Sequence, residues 1–385
     1  MSEAIISADG HIDLPVCPAD LFTKNAPAGL RDRVPHVIET DDGKFWVNHK
    51  GTRLGLYGGM GSAGRRYEPG QIQRADRIAS TGLYEDQARG IMRTADPELR
   101  IRDQQLDGVD GEVIYGILGA CQRAEDDRIA AAMVRIYNDF AADFCRARPE
   151  RFAMIGILPQ QSAEDTADEI RRCRTLGLRG VELPVTETMK PLWHPDWEPL
   201  WRAVEETGLP LHMHTIGGHV DTSFVKGREQ YLRWLAAHIS CFQLSMATHV
   251  SSIIFSGALE RYPGVRVVIG ESGLGWIPYL LERMDYEWED QFQNLDLRMK
   301  PSEYWQRQMY ATFQQDDVGL ELIERLGRDN VMWGSDFPHP DGLWPDSRKF
   351  LDRMFEPLPL ELRRKLTYET AAEVYGFPQA DAVSA

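Results

Sequence analysis

Acidic and imidazole side chains recur where short apolar runs of this sequence end. Asp9 and His11 stand two apart in "SADGHIDLP", and the two-residue period of a β-strand turns both side chains to one face. His212 and His214 in "LPLHMHT" share a face in the same way, with His214 one layer nearer the end of its run. Glu271 closes "VRVVIGE" and Asp336 closes "VMWGSD". A carboxylate or imidazole in such a position is costly to bury without a cation or a hydrogen-bond partner. Taken singly, each reads as a polar rim residue or a structural pair; their recurrence at four run ends points to a metal site built from Asp9, His11, His214, Glu271 and Asp336. His212 then stands behind its neighbour or packs. Carboxylates mixed with imidazoles suit Fe, Mn or Zn, whereas a calcium cage would be almost all oxygen.

Strand-length apolar runs alternate with longer amphipathic segments over most of the chain, the pattern of repeated β-α units around a parallel sheet. Eight strands are expected, over 5–11, 111–115, 152–158, 180–183, 209–214, 266–271, 309–313 and 331–336. Helical spacing of apolar residues is clearest over 129–148 and 163–176. Eight units predict an α/β fold, a closed (β/α)8 TIM barrel forming one domain over 1–385. Such a barrel needs about 250 residues, so part of the chain is decoration.

The main insertion is expected over 33–100, where "GKFWVNHKGTRLGLYGG" alternates like a hairpin and a Gly-rich loop carries Arg65 and Arg66. An insertion after strand one emerges at the C-terminal mouth, where barrel enzymes keep their active sites. This predicts a lid, with Arg65 and Arg66 as a clamp for a substrate carboxylate. "GGMGSAG" matches neither a P-loop nor a dinucleotide fingerprint. A second insertion, "TIGGHVDTSFVKGREQ", follows strand five, and the tail after Pro378 is small and polar.

Of the 385 residues, 43 are Lys or Arg against 59 Asp or Glu, a formal charge of -16 that argues against nucleic acid as a partner. No apolar run reaches the roughly 18 residues of a membrane helix, and the first residues lack a signal-peptide pattern; the expectation is a soluble, cytoplasmic protein. Cys17, Cys121, Cys145, Cys173 and Cys241 lie far apart and read as small buried hydrophobes. Among the other histidines, His339 follows Asp336 closely enough to hydrogen-bond a ligand carboxylate. His249 could reach the mouth or serve the core, His219 could line the pocket or be solvated, and His238 reads as a helix residue. Trp276, Trp333 and Trp344 read either as an apolar substrate wall or as core.

The opening "SADGHIDLP" resembles the Asp-x-His motif of the amidohydrolase-related family that includes the aminocarboxymuconate-semialdehyde-type decarboxylases. The resemblance continues through "LDGVDGEVIY", "LGLRGVELP", "GLPLHMHT", "VRVVIGESGLGWIPYLLERMD", "YATFQQD" and "WGSDFPHPDG", in order over nearly the whole chain. It implies that Asp9, His11, His214 and Asp336 occupy the family's metal positions. Two departures stand out: Asp9 replaces the first His of a His-x-His pair, and Glu271 replaces the decarboxylases' catalytic His after strand six. An added carboxylate is suited to bridge a second cation. The chain is in this respect most similar to a dinuclear non-haem iron hydroxylase branch of the family, which acts on carboxylic acids including diterpenoid acids. That branch implies two Fe ions, or an Fe/Mn pair, with O2 and an external reductant. It sets the leading expectation, a monooxygenase with Glu271 and Asp336 as catalytic groups. The alternative is a decarboxylase or hydrolase using one Zn or Mn ion, with Asp336 or Glu271 as general acid/base; a third reading is a non-catalytic subunit. Family resemblance also implies a homo-oligomer.

Overall fold

The computed structural model describes residues 4–124, 126–185, 189–215 and 224–378. Its first strand, β1 (Ile6–His11), leads into a three-stranded antiparallel meander, β2 (His36–Thr40), β3 (Gly43–Val47) and β4 (Arg53–Leu56). Then follow β5 (Gly111–Tyr115), β6 (Phe152–Ile157), β7 (Gly180–Glu182), β8 (Leu211–His214), β9 (Val267–Gly270), β10 (Met309–Phe313) and β11 (Val331–Trp333). Strand β1 and strands β5 to β11 lie side by side in chain order, all parallel. Past the end of β11, Gly10 bridges to Phe337: His11 N–H donates to Phe337 O at 2.7 Å and Asp336 N–H to Asp9 O at 2.8 Å. These bonds join the last strand to the first, and the result is the expected (β/α)8 barrel.

The connecting helices form where the sequence carries an apolar stripe and a cap. Asp127–Ala147 buries Ile129, Met133, Ile136 and Tyr137, and the Asp126 carboxylate accepts from the N–H groups of Arg128 and Ile129. Ala163–Leu176 is capped by Ser162 and stopped by Gly177 at φ 84°. Small and branched residues, Ile6, Ala8, Val113, Ala153, Ile155 and Val268, fill the barrel, and Tyr368, Tyr375 and Phe377 from the C-terminal segment pack with them. Among the described residues no helix is long and apolar enough to cross a membrane.

The strand expectations overshoot at two places. Residues 271 and 336 were expected to end strands, yet β9 stops at Gly270 and β11 at Trp333. Glu271 and Asp336 adopt positive φ, 48° and 57°, a conformation that a pleated strand cannot contain. The expected hairpin is a meander with one more strand. Cys241 departs from the buried-hydrophobe expectation: it is exposed while the other four are buried, because the helix Gly227–Cys241 buries none of its residues. Trp333 and Trp344 are core, 0% and 2% exposed, and Trp276 is half-buried.

The 33–100 segment is anchored to the barrel at two levels. Trp46 is fully buried against Phe22, ring centroids 5.9 Å apart. Met60, Ala75, Ile78, Leu83 and Tyr84 form a cluster with Phe337 and Trp344, on the segment that follows β11. Beneath it lies Arg100, 0% exposed, which grips Glu112 through two hydrogen bonds of 2.6 and 2.7 Å and donates to the carbonyls of His11 and Thr94, both at 2.9 Å. The Glu112 carboxylate passes so close to β1 that a Cβ on Gly10 would sit 2.2 Å from it, so only glycine fits between Asp9 and His11. Replacing Arg100 by Met leaves Glu112 buried and uncompensated; urea unfolding should show a loss of about 3–5 kcal/mol, largely recovered in the Arg100→Met, Glu112→Leu double variant.

Candidate metal centre

Alternation along β1 and β8 turns Asp9, His11, His212 and His214 inward, and the turns at Glu271 and Asp336 swing two more carboxyl groups toward them. Asp9, His11, His214, Glu271 and Asp336 are between 0% and 6% exposed. Two groups with ligand atoms all within 4.8 Å of one another result, one of Asp9, His11 and His214, the other of His11, Glu271, Asp336 and His339. His11 belongs to both. The sequence-derived set thus comes together in one place, with His339 added.

The contacts within it are of two kinds. Some position side chains: His214 Nε2 lies 3.3 Å from Asp9 Oδ1, while Asp9 Oδ2 accepts from Glu271 N–H and from Thr312 Oγ1, both at 3.0 Å. His339 stands between Asp13, 2.7 Å from its Nε2, and Asp336, 3.0 Å from its Nδ1, and stacks on His11 with centroids 4.0 Å apart. Other contacts are close without being hydrogen bonds. His11 Nε2 approaches Asp336 Oδ1 at 3.1 Å and Asp9 Oδ1 at 3.3 Å, yet His11 Nε2 and both Asp336 oxygens, all buried, have no hydrogen-bond partner. Buried polar atoms are almost always satisfied. An imidazole nitrogen and a carboxylate left bare at one point, beside a second imidazole and a second carboxylate, fit a divalent transition ion or zinc.

Electrostatics in the absence of an ion run the same way. Burial pushes the Asp9 carboxyl up, but the charge of His214, its contact at 3.3 Å and the nearby His11 imidazole outweigh it and hold Asp9 well below the usual range. Burial likewise depresses His214, yet Asp9 foremost, then Glu271, lift it to about 10. Burial depresses His339 too, and Asp336 and Asp13 raise it well above an ordinary histidine. Burial and the neighbouring Asp336 charge push Glu271 far above a normal carboxylic acid.

Other expected residues fall elsewhere. His212 belongs to neither group; it lies under His214, where Tyr115 Oη approaches its Nδ1 at 2.8 Å, and burial drops its pKa to about 3, a neutral ring of the barrel floor. His249, on the helix Met246–Phe255, also belongs to neither, and burial lowers its pKa. Arg65 and Arg66 are exposed; Arg66 donates to the carbonyl of Asp42 in the β2–β3 turn, and the Arg65 backbone pairs with Met60. His219 lies outside the described residues. Sequence reasoning missed Asp13, Thr312 and Glu182. Asp13 was available as the next step of the two-residue period after Asp9 and His11.

Fold and site together define a metal-binding barrel enzyme. Residues 86–377 match the profile described as amidohydrolase, and the chain belongs to that family. It is 26% identical over 274 residues to the gamma-resorcylate decarboxylase of Rhodococcus jostii, covering 67% of this chain and 81% of that protein. It is also 26% identical over 259 residues to 2-amino-3-carboxymuconate-6-semialdehyde decarboxylase of Dictyostelium discoideum, covering 64% and 68%. A variant of the 5-carboxyvanillate decarboxylase of Novosphingobium aromaticivorans, solved with bound manganese and 3-methoxy-4-hydroxy-5-nitrobenzoic acid, superposes with a TM-score of 0.68 at 19% identity over 97% of both chains. All three are decarboxylases, and the expected iron oxygenase has no counterpart among them.

The neighbouring carboxylates raise His11, His214 and His339 and so favour protons on these imidazoles, and a metal bound there would displace them. Affinity for Mn2+ should therefore rise with pH, about tenfold per unit for each proton displaced across roughly pH 6–8. Calorimetry in buffers of different ionisation enthalpy measures the protons released; a pH-independent affinity would show that these histidines are not displaced.

Proposed function

We propose that this chain is a metal-dependent carboxy-lyase that removes CO2 from a small carboxylic acid. The observation that carries the reading is the set of bare buried atoms among the described residues, His11 Nε2 and both Asp336 oxygens, where the group of Asp9, His11 and His214 meets the group of His11, Glu271, Asp336 and His339. The decarboxylase relatives support it. Asp9, His11, His214 and Asp336 would hold the ion. A divalent cation there, manganese or zinc, supplies charge that binds the substrate's oxygens and accommodates negative charge developing on them.

The remaining work falls to the protein. Decarboxylation breaks the bond between the carboxylate carbon and its neighbour, leaves the electron pair on that neighbour, and needs a proton delivered to it. Glu271 is the group suited to that delivery: its Oε2 stands 3.8 Å from His214 Nδ1, and its N–H is pinned by Asp9 and by Thr312 at 2.8 Å. Asp13 and His339 orient Asp336 from the other side. The surrounding burial excludes water, which strengthens each of these interactions.

A second reading, the dinuclear iron or iron–manganese oxygenase that takes O2 and an external reductant, is favoured by one observation. Glu271, Asp336 and His339 form, with His11, a second group beyond the Asp9–His11–His214 set. Metal counting and gas measurements separate the two. Under the first reading, protein loaded with about one Mn2+ per chain releases CO2 from a member of a hydroxybenzoate panel without oxygen. Glu271→Gln then lowers kcat by about 10²–10⁴-fold with the metal retained. Two ions per chain, loss of one of them in Glu271→Gln, and turnover only with O2 would replace it with the second.

A further inference from the structure

Glu182 is a buried carboxyl group that none of this chemistry uses. It closes β7, two residues after Gly180, and its register partners are Ile157 on β6 and His212 on β8. A Cβ on Gly180 would meet His212 Nε2 at 2.7 Å and Ile155 Cδ1 at 2.7 Å, so that position faces the barrel interior, and alternation turns Glu182 the same way. Glu182 is 1% exposed and its Oε2 has no hydrogen-bond partner.

Its surroundings locate the carboxyl at the mouth. Burial pushes this carboxyl up to about 7, with the nearby His214 and His11 pulling it down and Asp13 and Asp9 pushing it further up. It acts in turn on Cys121, in the short helix Leu118–Gln122 that follows β5 on the mouth side. Glu182 therefore turns inward at the end of β7 close to the metal groups, yet it belongs to neither of them. Asp9 and Asp13 have donors: Asp9 receives Thr312 and the Glu271 N–H, and Asp13 meets His339. Leaving a buried acceptor bare is costly, and a ligand bound at the metal groups could bring the donor to it.

We infer that Glu182 accepts a hydrogen bond from a hydroxyl or amino group of the substrate, and so selects acids bearing such a donor over counterparts of the same shape without one. The inference rests on the carboxylic-acid reading above and adds a specificity-determining residue to it. The carboxylate of the substrate goes to the metal positions; its donor goes to β7.

The test compares hydroxybenzoates with fluorobenzoates, substituted at the 2, 3 or 4 position, binding to manganese-loaded protein in a calorimeter. Fluorine matches the hydroxyl in size and donates nothing. In the wild-type protein at least one hydroxy isomer should bind about tenfold or more tighter than its fluoro counterpart. In Glu182→Met that ratio should fall to near one with the fluoro affinity unchanged, while Glu182→Gln, which keeps an acceptor, retains part of it. A merely structural role would weaken both ligands alike. Equal affinities within every pair in the wild type, absence of binding included, overturn the inference, as does a ratio that survives Glu182→Met. CO2 release is measured on the same samples: its absence with the ratio intact removes the decarboxylation reading and leaves the Glu182 contact standing.

Discussion

The joint between the first and last strands is what the site depends on. Asp9 and His11 reach the mouth on β1, Asp336 on the turn after β11, and two backbone hydrogen bonds, Asp336 N–H to Asp9 O and His11 N–H to Phe337 O, fix one segment against the other. Barrel closure and ligand assembly are therefore one event. Arg100 reinforces it from below: its guanidinium holds the His11 carbonyl and lies 5.0 Å from the Phe337 ring centroid. The tight fit continues at Gly334, where a Cβ would stand 2.3 Å from Asp9 Cβ. A side chain there would push Asp9 off its position, so packing tolerances at the joint are set by the site above it.

Backbone strain marks the same places. Glu271 and Asp336 are the non-glycine residues in left-handed conformation among the described residues. Each such residue costs on the order of 1–3 kcal/mol and persists only where its surroundings over-determine it. Here they do: Glu271 N–H is held by Asp9 and Thr312, and Asp336 N–H by Asp9. Asp9 is the common anchor, which makes it a positioning group for both carboxylates as well as a member of the first metal group. Strain at the two carboxyl-bearing turns and nowhere else outside glycine is a sign of function independent of residue type.

Much of this was legible in the sequence, for a definite reason. Strands of a parallel sheet are buried on both faces, so their apolar runs stand out, and Asp9, His11 and His214 stand out because they interrupt those runs at the two-residue period. What was not legible depends on contacts between distant segments. Glu182 ends "GVE" and looks like ordinary exit from a strand until the register places it beside His212. The Arg66 contact to the Asp42 carbonyl was likewise hidden, because it depends on how the loop folds back on the meander. Metal identity was beyond the sequence for a chemical reason, since carboxylates and imidazoles serve iron, manganese and zinc alike.

The charge balance of the chamber ties the metal to the substrate. Asp9, Asp13 and Asp336 lie among three imidazoles, His11, His214 and His339, with Glu182 close to Asp9 and Asp13 and with Glu271, whose burial keeps its proton on, beside Asp336. An anionic substrate entering this chamber meets carboxylates on several sides, and protonated histidines offset them only while their protons stay. A divalent ion held by these residues would invert that field locally, and the protons given up on its binding would leave the more distant carboxyl groups without compensation. Glu182 and Asp13 are those outlying groups, each beyond both metal groups. Asp13 is answered by His339 from within the chain. Glu182 has no such answer, and a substrate that carries its own donor restores the balance that the metal alone does not.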